Sequence, residues 1–246
     1  MSKKELDVLI LSGLTPYQEA WDMQKELVKE VDKGRRSHTL LLLEHPHIYT
    51  LGRAGHEENL LITHQERERK GIDFQRIDRG GDITYHGPGQ LVGYLIFHLA
   101  DWGNDPHRFL RLIEEGLIQT LKFWNIEGER KETYTGVWVG DEKIAAIGVK
   151  LNRAKERVGY ISSHGFALNI SPDLQMFRYI RPCGIVHLGV TSMEKVLGKS
   201  PAISSLYSPI MDAFSSVFHF EERNETYTHW KREVEPPASD KSSKDE

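Results

Sequence analysis

The sequence predicts an α+β domain with a mixed or antiparallel sheet. Two helices with clear start signals, at Pro16 and Pro106, stand among long apolar and alternating runs that read as strands. Strands accumulate between and after these helices instead of alternating with them, which a parallel βαβ ladder would require. With 246 residues, 39% apolar and 28% charged, the chain can bury a real core. A single domain is expected over residues 1–233, followed by a disordered tail from 234 to 246, "VEPPASDKSSKDE" being rich in Pro, Ser and charge.

Each element has its own signal. A short apolar run, Val8 to Leu11, opens the chain as a strand. For the first helix, Thr15 is expected to cap, Pro16 to take the first helical position and Gln18 to complete a capping box. Tyr17, Ala20, Trp21, Leu27, Val28 and Val31 then share a face, and Gly34 ends the helix. "TLLLLE", Thr39 to Glu44, and "LVGYLIFHL", Leu91 to Leu99, are continuous apolar runs of the kind a strand buried on both faces shows. Asp105 caps the second helix, Pro106 starts it, and Phe109, Ile113, Leu117, Leu121 and Trp124 form its buried face up to a stop at Gly128. "GVWVGDEKIAAIGVKL" reads as a hairpin turning at Gly140 to Glu142. "VGYISSHGFALNI" supplies another strand with a bend or bulge at His164-Gly165. Short helices fit Asp173 to Tyr179 and Ser204 to Phe218.

Composition excludes several function classes. A net charge of −4 argues against a chain-wide nucleic-acid footprint. No stretch approaches the ~20 apolar residues of a membrane span, and Val8 to Leu11 is too short for a signal-peptide core. One cysteine forms no intramolecular disulfide. A cytoplasmic protein is expected.

Familiar cofactor motifs fail. Gly87, Gly89 and Gly93 miss the dinucleotide spacing by one residue and precede a strand, not a helix. "GKS" at Gly198 to Ser200 lacks the upstream glycine of a phosphate loop, where Met193 stands. His45 and His47 would share a face if they lay on a strand, and His86 and His164 are further candidates for a metal. No H-E-x-x-H or Cys/His cluster accompanies them, so turn or surface histidines are the simpler reading and no metal is expected.

Two stretches invite chemistry. "DRGGDITYHGPGQ" is either a long glycine turn or a wall where Gly80 and Gly81 bring backbone close to a ligand, edged by Tyr85 and His86. Cys183 stands in "IRPCGI", where Pro182 stops the preceding helix and Gly184 frees the chain just after. A lone cysteine is commonly a small buried hydrophobe, but this turn presents the thiol. A thiol of pKa about 8.5 is only a few per cent thiolate at neutral pH, so a nucleophilic Cys183 needs a cationic or basic neighbour, which the residues alone do not name.

"LEHPHIYTLGR", "RGGDITYHGPGQLVGYLIFHL", "KIAAIGVKL", "HGFALNI", "IRPCGI" and "GVTSM" occur in this order, from about Leu40 to Leu197. Together they resemble the octanoyl-[acyl carrier protein]:protein octanoyltransferases, the lipoate-biosynthesis protein B family. The resemblance implies the fold of biotin and lipoate ligases, a central mixed, largely antiparallel sheet flanked by helices. It implies transfer of an octanoyl group from acyl carrier protein, through a cysteine thioester, to a lysine of lipoyl domains in 2-oxoacid dehydrogenase complexes and the glycine cleavage H protein. No further cofactor, nucleic acid or membrane is implied. Cys183 falls on the nucleophile and Lys143 on the residue that lowers its pKa or acts as a base. The acyl-binding segments fall on Arg79, Gly80, Gly81, Asp82, Ile83, Thr84, Tyr85 and His86, on Ala146, Ile147 and Gly148, and on Gly165, Phe166 and Ala167. Gly80, Gly81, Gly148 and Gly165 would line a narrow slot with backbone, and main-chain N–H groups at its mouth would hold an oxyanion.

The stretch "VKLNRAKERVGYISS" is longer than the family pattern suggests; Lys150, Arg153, Lys155 and Arg157 form either a basic hairpin that meets an acidic carrier protein or an ordinary solvated loop. Two rival functions remain open: an ATP-dependent ligase on the same fold, for which "LGRAGHEENL" carries some flavour, and a non-catalytic binder of acyl carrier or lipoyl domains.

Overall fold

A computed structural model describes residues 4–181 and 189–228; Cys183 and the tail expected from residue 234 lie outside the described residues. In chain order the elements are β1 (Glu5–Leu14), α1 (Tyr17–Asp32), β2 (His38–Glu44), β3 (Ile48–Leu51), α2 (His64–Arg69), β4 (Asp73–Arg76), β5 (Ile83–His86), β6 (Gln90–Ile96), α3 (Pro106–Lys122), β7 (Val137–Val139), β8 (Glu142–Arg153), β9 (Tyr160–Asn169), β10 (Gly189–Val190), α4 (Met193–Leu197), α5 (Tyr207–Phe218) and β11 (Glu222–Thr228).

The main sheet has the order β10-β8-β9-β6-β2-β1-β11, with β7 pairing β8 off that path. Its centre, from β2 through β6 and β9 to β8, is antiparallel. Its margins, where β1 meets β2 and β11 and where β10 meets β8, are parallel. The mixed sheet expected from the sequence is therefore the one observed. A second sheet, β4-β3-β5, stands beside it.

Two central strands are buried on both faces, as their apolar runs require. Leu40 and Leu42 of β2 join Leu91 and Leu95 of β6 in a core under α3 and α5, with Phe109, Ile113, Leu117 and Phe214. Leu41, Leu43, Val92, Tyr94 and Ile96 point the other way, into a core under α1 with Tyr17, Ala20, Met23 and Val31. The small sheet covers a third cluster, which includes Tyr49, Leu51, Ile72, Ile83, Tyr85 and Ile180.

Several local expectations are corrected. Thr15 does not cap α1; Pro16 occupies the cap position and no side chain caps the helix. Residue 15 is committed elsewhere: its N–H donates to the Glu44 carbonyl (2.8 Å) and its carbonyl accepts from His45 Nδ1 (2.7 Å), tying the helix start to the end of β2. Asp105 does cap α3, accepting from the N–H groups of His107 and Arg108. That helix ends at Lys122, and the reversal after it is made by Asn125 at φ 56°, ahead of Gly128. His164 has φ 58°, yet the β8–β9 pairing passes through it in register. The bend instead ends the continuous β6–β9 pairing, whose last pair is Tyr94 with Gly165. Gly198, in the weak "GKS" signal, closes α4 at φ 71°, which accounts for it without a phosphate.

Candidate active site

A cavity of about 620 Å³ lies between the loop leading into β5 and the facing strands β8 and β9. Arg79, Gly80, Gly81, Asp82, Ile83, Thr84 and His86 form one wall. Lys143, Ala146, Ile147 and Gly148 of β8 and Gly165, Phe166 and Ala167 of β9 form the opposite one. Three segments far apart in sequence thus meet around one space. Tyr85 does not line it: on the alternating strand β5 its ring is fully buried in the cluster beneath the small sheet, its hydroxyl 2.7 Å from His47 Nδ1.

The glycine run is a pinned wall, not a mobile turn. Residues 52–54 bond along it, through Gly52 N–H to Asp82 O, Arg53 N–H to Arg79 O and Ala54 N–H to Gly81 O, all at 3.0–3.2 Å. Asp82 accepts from its neighbour Ile83 N–H and from Asn59 Nδ2, both at 2.7 Å. Gly80 N–H donates across the gap to Val149 O on β8 (2.9 Å), which withdraws it from the oxyanion donors expected at the slot. The Arg79 guanidinium donates to Thr50 O (2.8 Å), Thr50 Oγ1 (3.0 Å) and Gly80 O (3.0 Å), so a buried cation braces the loop. Gly148 lies so close to this loop that a Cβ there would stand 3.1 Å from both Arg79 Cδ and Gly80 O. At Gly165 a Cβ would come within 2.1 Å of Gly93 O on β6, so that glycine serves strand pairing as well as the slot.

A hydrogen-bonded polar group borders the cavity. His45 Nδ1 donates to Thr15 O (2.7 Å), which leaves Nε2 to accept from the Tyr94 hydroxyl at 2.7 Å. The Tyr17 hydroxyl is 3.3 Å from His164 Nδ1, and His164 Nε2 is 2.9 Å from Asp78, which also holds Lys150 at 2.6 Å. Burial pushes the His45 imidazole down to about 4 and lowers that of His86 well below the ordinary value. Burial also lowers His164, against the pull of Asp78. The hydrogen bond from His164, helped by Lys150, holds the Asp78 carboxyl low. All three imidazoles are neutral at pH 7, beside the charged Arg79 guanidinium and the Asp78–Lys150 pair.

These histidines correct the surface reading: His45, His86 and His164 are buried. His45 and His47 do not share a strand face, because they lie in the link between β2 and β3 and bond to different partners. Among the described residues no group of three His, Cys, Asp or Glu side chains is placed to hold a metal ion. No described helix is long and apolar enough to cross a membrane.

Lys143 stands on β8 opposite Trp138 of β7, its Nζ 4.7 Å from the centroid of the indole. The next strand, β10, pairs Val190 with Lys143. Ile180 and Gly189, the described residues nearest to either side of Cys183 that line a wall, both border the cavity. Of the basic stretch, Lys150 is drawn inward to Asp78, while Arg153 lies ten residues beyond Lys143 on one strand. At about 3.3 Å per residue that places the exposed tip about 33 Å from Lys143. Asp32 accepts from the N–H groups of Lys155 and Glu156 and fastens the tip to the end of α1.

Tyr17, Tyr94, Asp78 and Trp138 are site residues that the sequence did not mark. Tyr17 and Tyr94 read as core positions, and Asp78 sits just ahead of the "RGG" signal; partners 147 and 86 positions away, as in the Tyr17–His164 and Asp78–His164 pairs, leave no local trace.

The sequence matches the model of the lipoyl protein ligase A/B catalytic domain over residues 16–215. It is 48% identical to the octanoyltransferase of Rubrobacter xylanophilus over 86% of this chain and 93% of that one. It is 47% identical to the octanoyltransferase of Solibacter usitatus, over 85% of this chain and 91% of that one. In fold it is similar to lipoate-protein ligase A bound with ATP, with a TM-score of 0.67, 15% identity, and 92% and 90% of the two chains covered. It is also similar to a lipoate protein ligase of T. acidophilum with bound lipoic acid, with a TM-score of 0.65, 15% identity, and 94% and 91% covered.

Proposed function

The chain belongs to the lipoyl protein ligase A/B catalytic-domain family, and from that premise we propose that it is an octanoyltransferase of lipoate biosynthesis that moves octanoyl from acyl carrier protein to a lysine of lipoyl domains. The observation that carries this reading is the meeting of the glycine wall, β8 and β9 around one cavity with Lys143 on its lining. Ile180 and Gly189, which precede and follow Cys183 in the sequence, line the same cavity.

The chemistry runs in two balanced steps. The Cys183 thiolate attacks the thioester carbonyl of the donor; the carrier's thiolate leaves and takes a proton from solvent, and an acyl–Cys183 thioester forms. The neutral amine of the acceptor lysine then attacks that thioester. The amide forms, the amine loses a proton to solvent, and Cys183 leaves as thiolate. A fall of ~1.5 units from the usual thiol pKa would make about half of Cys183 thiolate at pH 7. Burying six methylenes and a methyl contributes on the order of 5 kcal/mol to holding the chain. Fixed neutral histidines and tyrosines can shape that space without adding charge to it.

Transfer from octanoyl-carrier protein to an unmodified lipoyl domain, with nucleotide removed by apyrase, tests the reading. Undiminished transfer supports it. Transfer that needs ATP would make the chain a ligase, and binding of both proteins without transfer would make it a scaffold.

A further inference from the structure

On the reading above, Lys143 sets the reactivity of Cys183, and the placement of Lys143 has a visible cause. Trp138 faces it directly across the β7–β8 pair, with Nζ 4.7 Å from the ring centroid. Trp138 is 1% exposed and Lys143 lies partly buried against it at the cavity wall; cation–π attraction grows as water is excluded from such a contact. Among the described residues its Nε1 has no hydrogen-bond partner. A buried indole N–H ordinarily finds one, so what this side chain contributes is its face. Lys131 lies 5.6 Å from the same centroid but pairs with Asp141 at 2.9 Å, and Glu142, next to Lys143, holds Lys195 at 2.6 Å. Gly136 closes over the lysine stem: a Cβ there would stand 3.3 Å from Lys143 Cε.

We infer that Trp138 is a positioning residue that holds the Lys143 amine as an ammonium ion against the cavity wall, so that Lys143 assists Cys183 as a fixed positive charge and not as a neutral base. An aromatic face attracts a cation and offers a neutral amine little, so one contact both aims the group and favours its charge. In this role the thiol proton goes to solvent before the donor binds, and Lys143 keeps its own proton while the thiolate attacks. The inference rests on the Cys183 thioester reading and chooses between the two roles that reading allows Lys143.

The test uses Trp138→Phe and Trp138→Leu in the full chain. With one cysteine in the sequence, the pH profile of iodoacetamide alkylation reads Cys183 ionisation without any acyl donor. Trp138→Leu is expected to move the profile's midpoint up by about one pH unit and to slow alkylation at pH 7 about fivefold or more. Trp138→Phe, with a weaker face, should stay within about threefold of wild type, and kcat should fall in the same order with KM little changed. An unmoved profile in Trp138→Leu, or equal losses of kcat in both variants without a shift, overturns the inference. Should the leucine variant not fold, the phenylalanine profile decides, a small upward shift supporting the role and none opposing it. Failure of the thioester reading is separate: wild type would then gain no octanoyl group on Cys183, whatever the profiles do.

Discussion

The Tyr17 hydroxyl lies 3.3 Å from Nδ1 of His164, joining α1 to the bend in β9. With Asp78 accepting at Nε2 (2.9 Å), the proton of His164 belongs on Nε2, and Nδ1 accepts from Tyr17. His45 must be the opposite tautomer, because its Nδ1 faces the Thr15 carbonyl. Nitrogen-15 correlation spectra at pH 7 should show His164 protonated at Nε2 and His45 at Nδ1. A shared tautomer would break the network as described.

Acid should weaken the fold through these same rings. The His45 imidazole is lowered to about 4 by burial, while an unfolded imidazole titrates near 6.5. As pH falls through that window the unfolded chain takes up a proton that the folded one refuses. His45 alone then costs nothing above pH 6.5 and an increasing amount below it, about 3 kcal/mol of stability by pH 4. Urea unfolding at pH 7.5 and pH 5 should show the decline, and His45→Gln should flatten it. An equally steep decline in that variant would assign it elsewhere.

Two glycines of the slot should respond differently to a methyl group. In Gly165→Ala the new carbon meets the Gly93 backbone at 2.1 Å, and backbone cannot swing aside. A loss of about 3 kcal/mol in unfolding free energy is expected. In Gly148→Ala the contacts are 3.1 Å and one of them is the Arg79 side chain. That variant should fold within about 1 kcal/mol of wild type and raise KM for octanoyl donors more than it lowers kcat, a split that steady-state kinetics reads.

Glu114 anchors the cavity's rim. Its fully buried carboxylate accepts from Arg111 (2.7 Å) and Gly136 N–H (3.1 Å) and is ion-paired with Arg130 (3.2 Å), and Thr133, Tyr134 and Thr135 on the segment it holds line the cavity. Glu114→Ala should cost about 3 kcal/mol, the low end for a broken buried pair because both arginines are partly exposed. Denaturant midpoints check this, and a change below about 1 kcal/mol would show that the rim stands without it.

What was legible in the sequence followed from its strongest local signals. The apolar runs of β2 and β6 could only be strands buried on both faces, and Asp105-Pro106 could only begin a helix. The motif blocks brought Lys143 and the residues of three segments to one cavity. Other features had no such signal. The strand β11, "ERNETYT", is polar throughout and exists because β1 offers it an edge. The helix α2 has a Thr63–Glu66 capping box but no buried face for periodicity to reveal. Thr15 looked like a cap because its competing partners, Glu44 and His45, are distant in sequence. Tyr85 was placed with its segment, although strand alternation turns it away from its neighbours Thr84 and His86.

The central claim is that one sulfur carries the acyl group. Wild-type protein mixed with octanoyl-carrier protein, without acceptor, should gain the mass of one octanoyl group at Cys183 in intact-mass and peptide spectra, and Cys183→Ser should gain none. A wild-type chain that transfers octanoyl while its thiol stays free throughout, or a serine variant that still transfers at the wild-type rate, would contradict it.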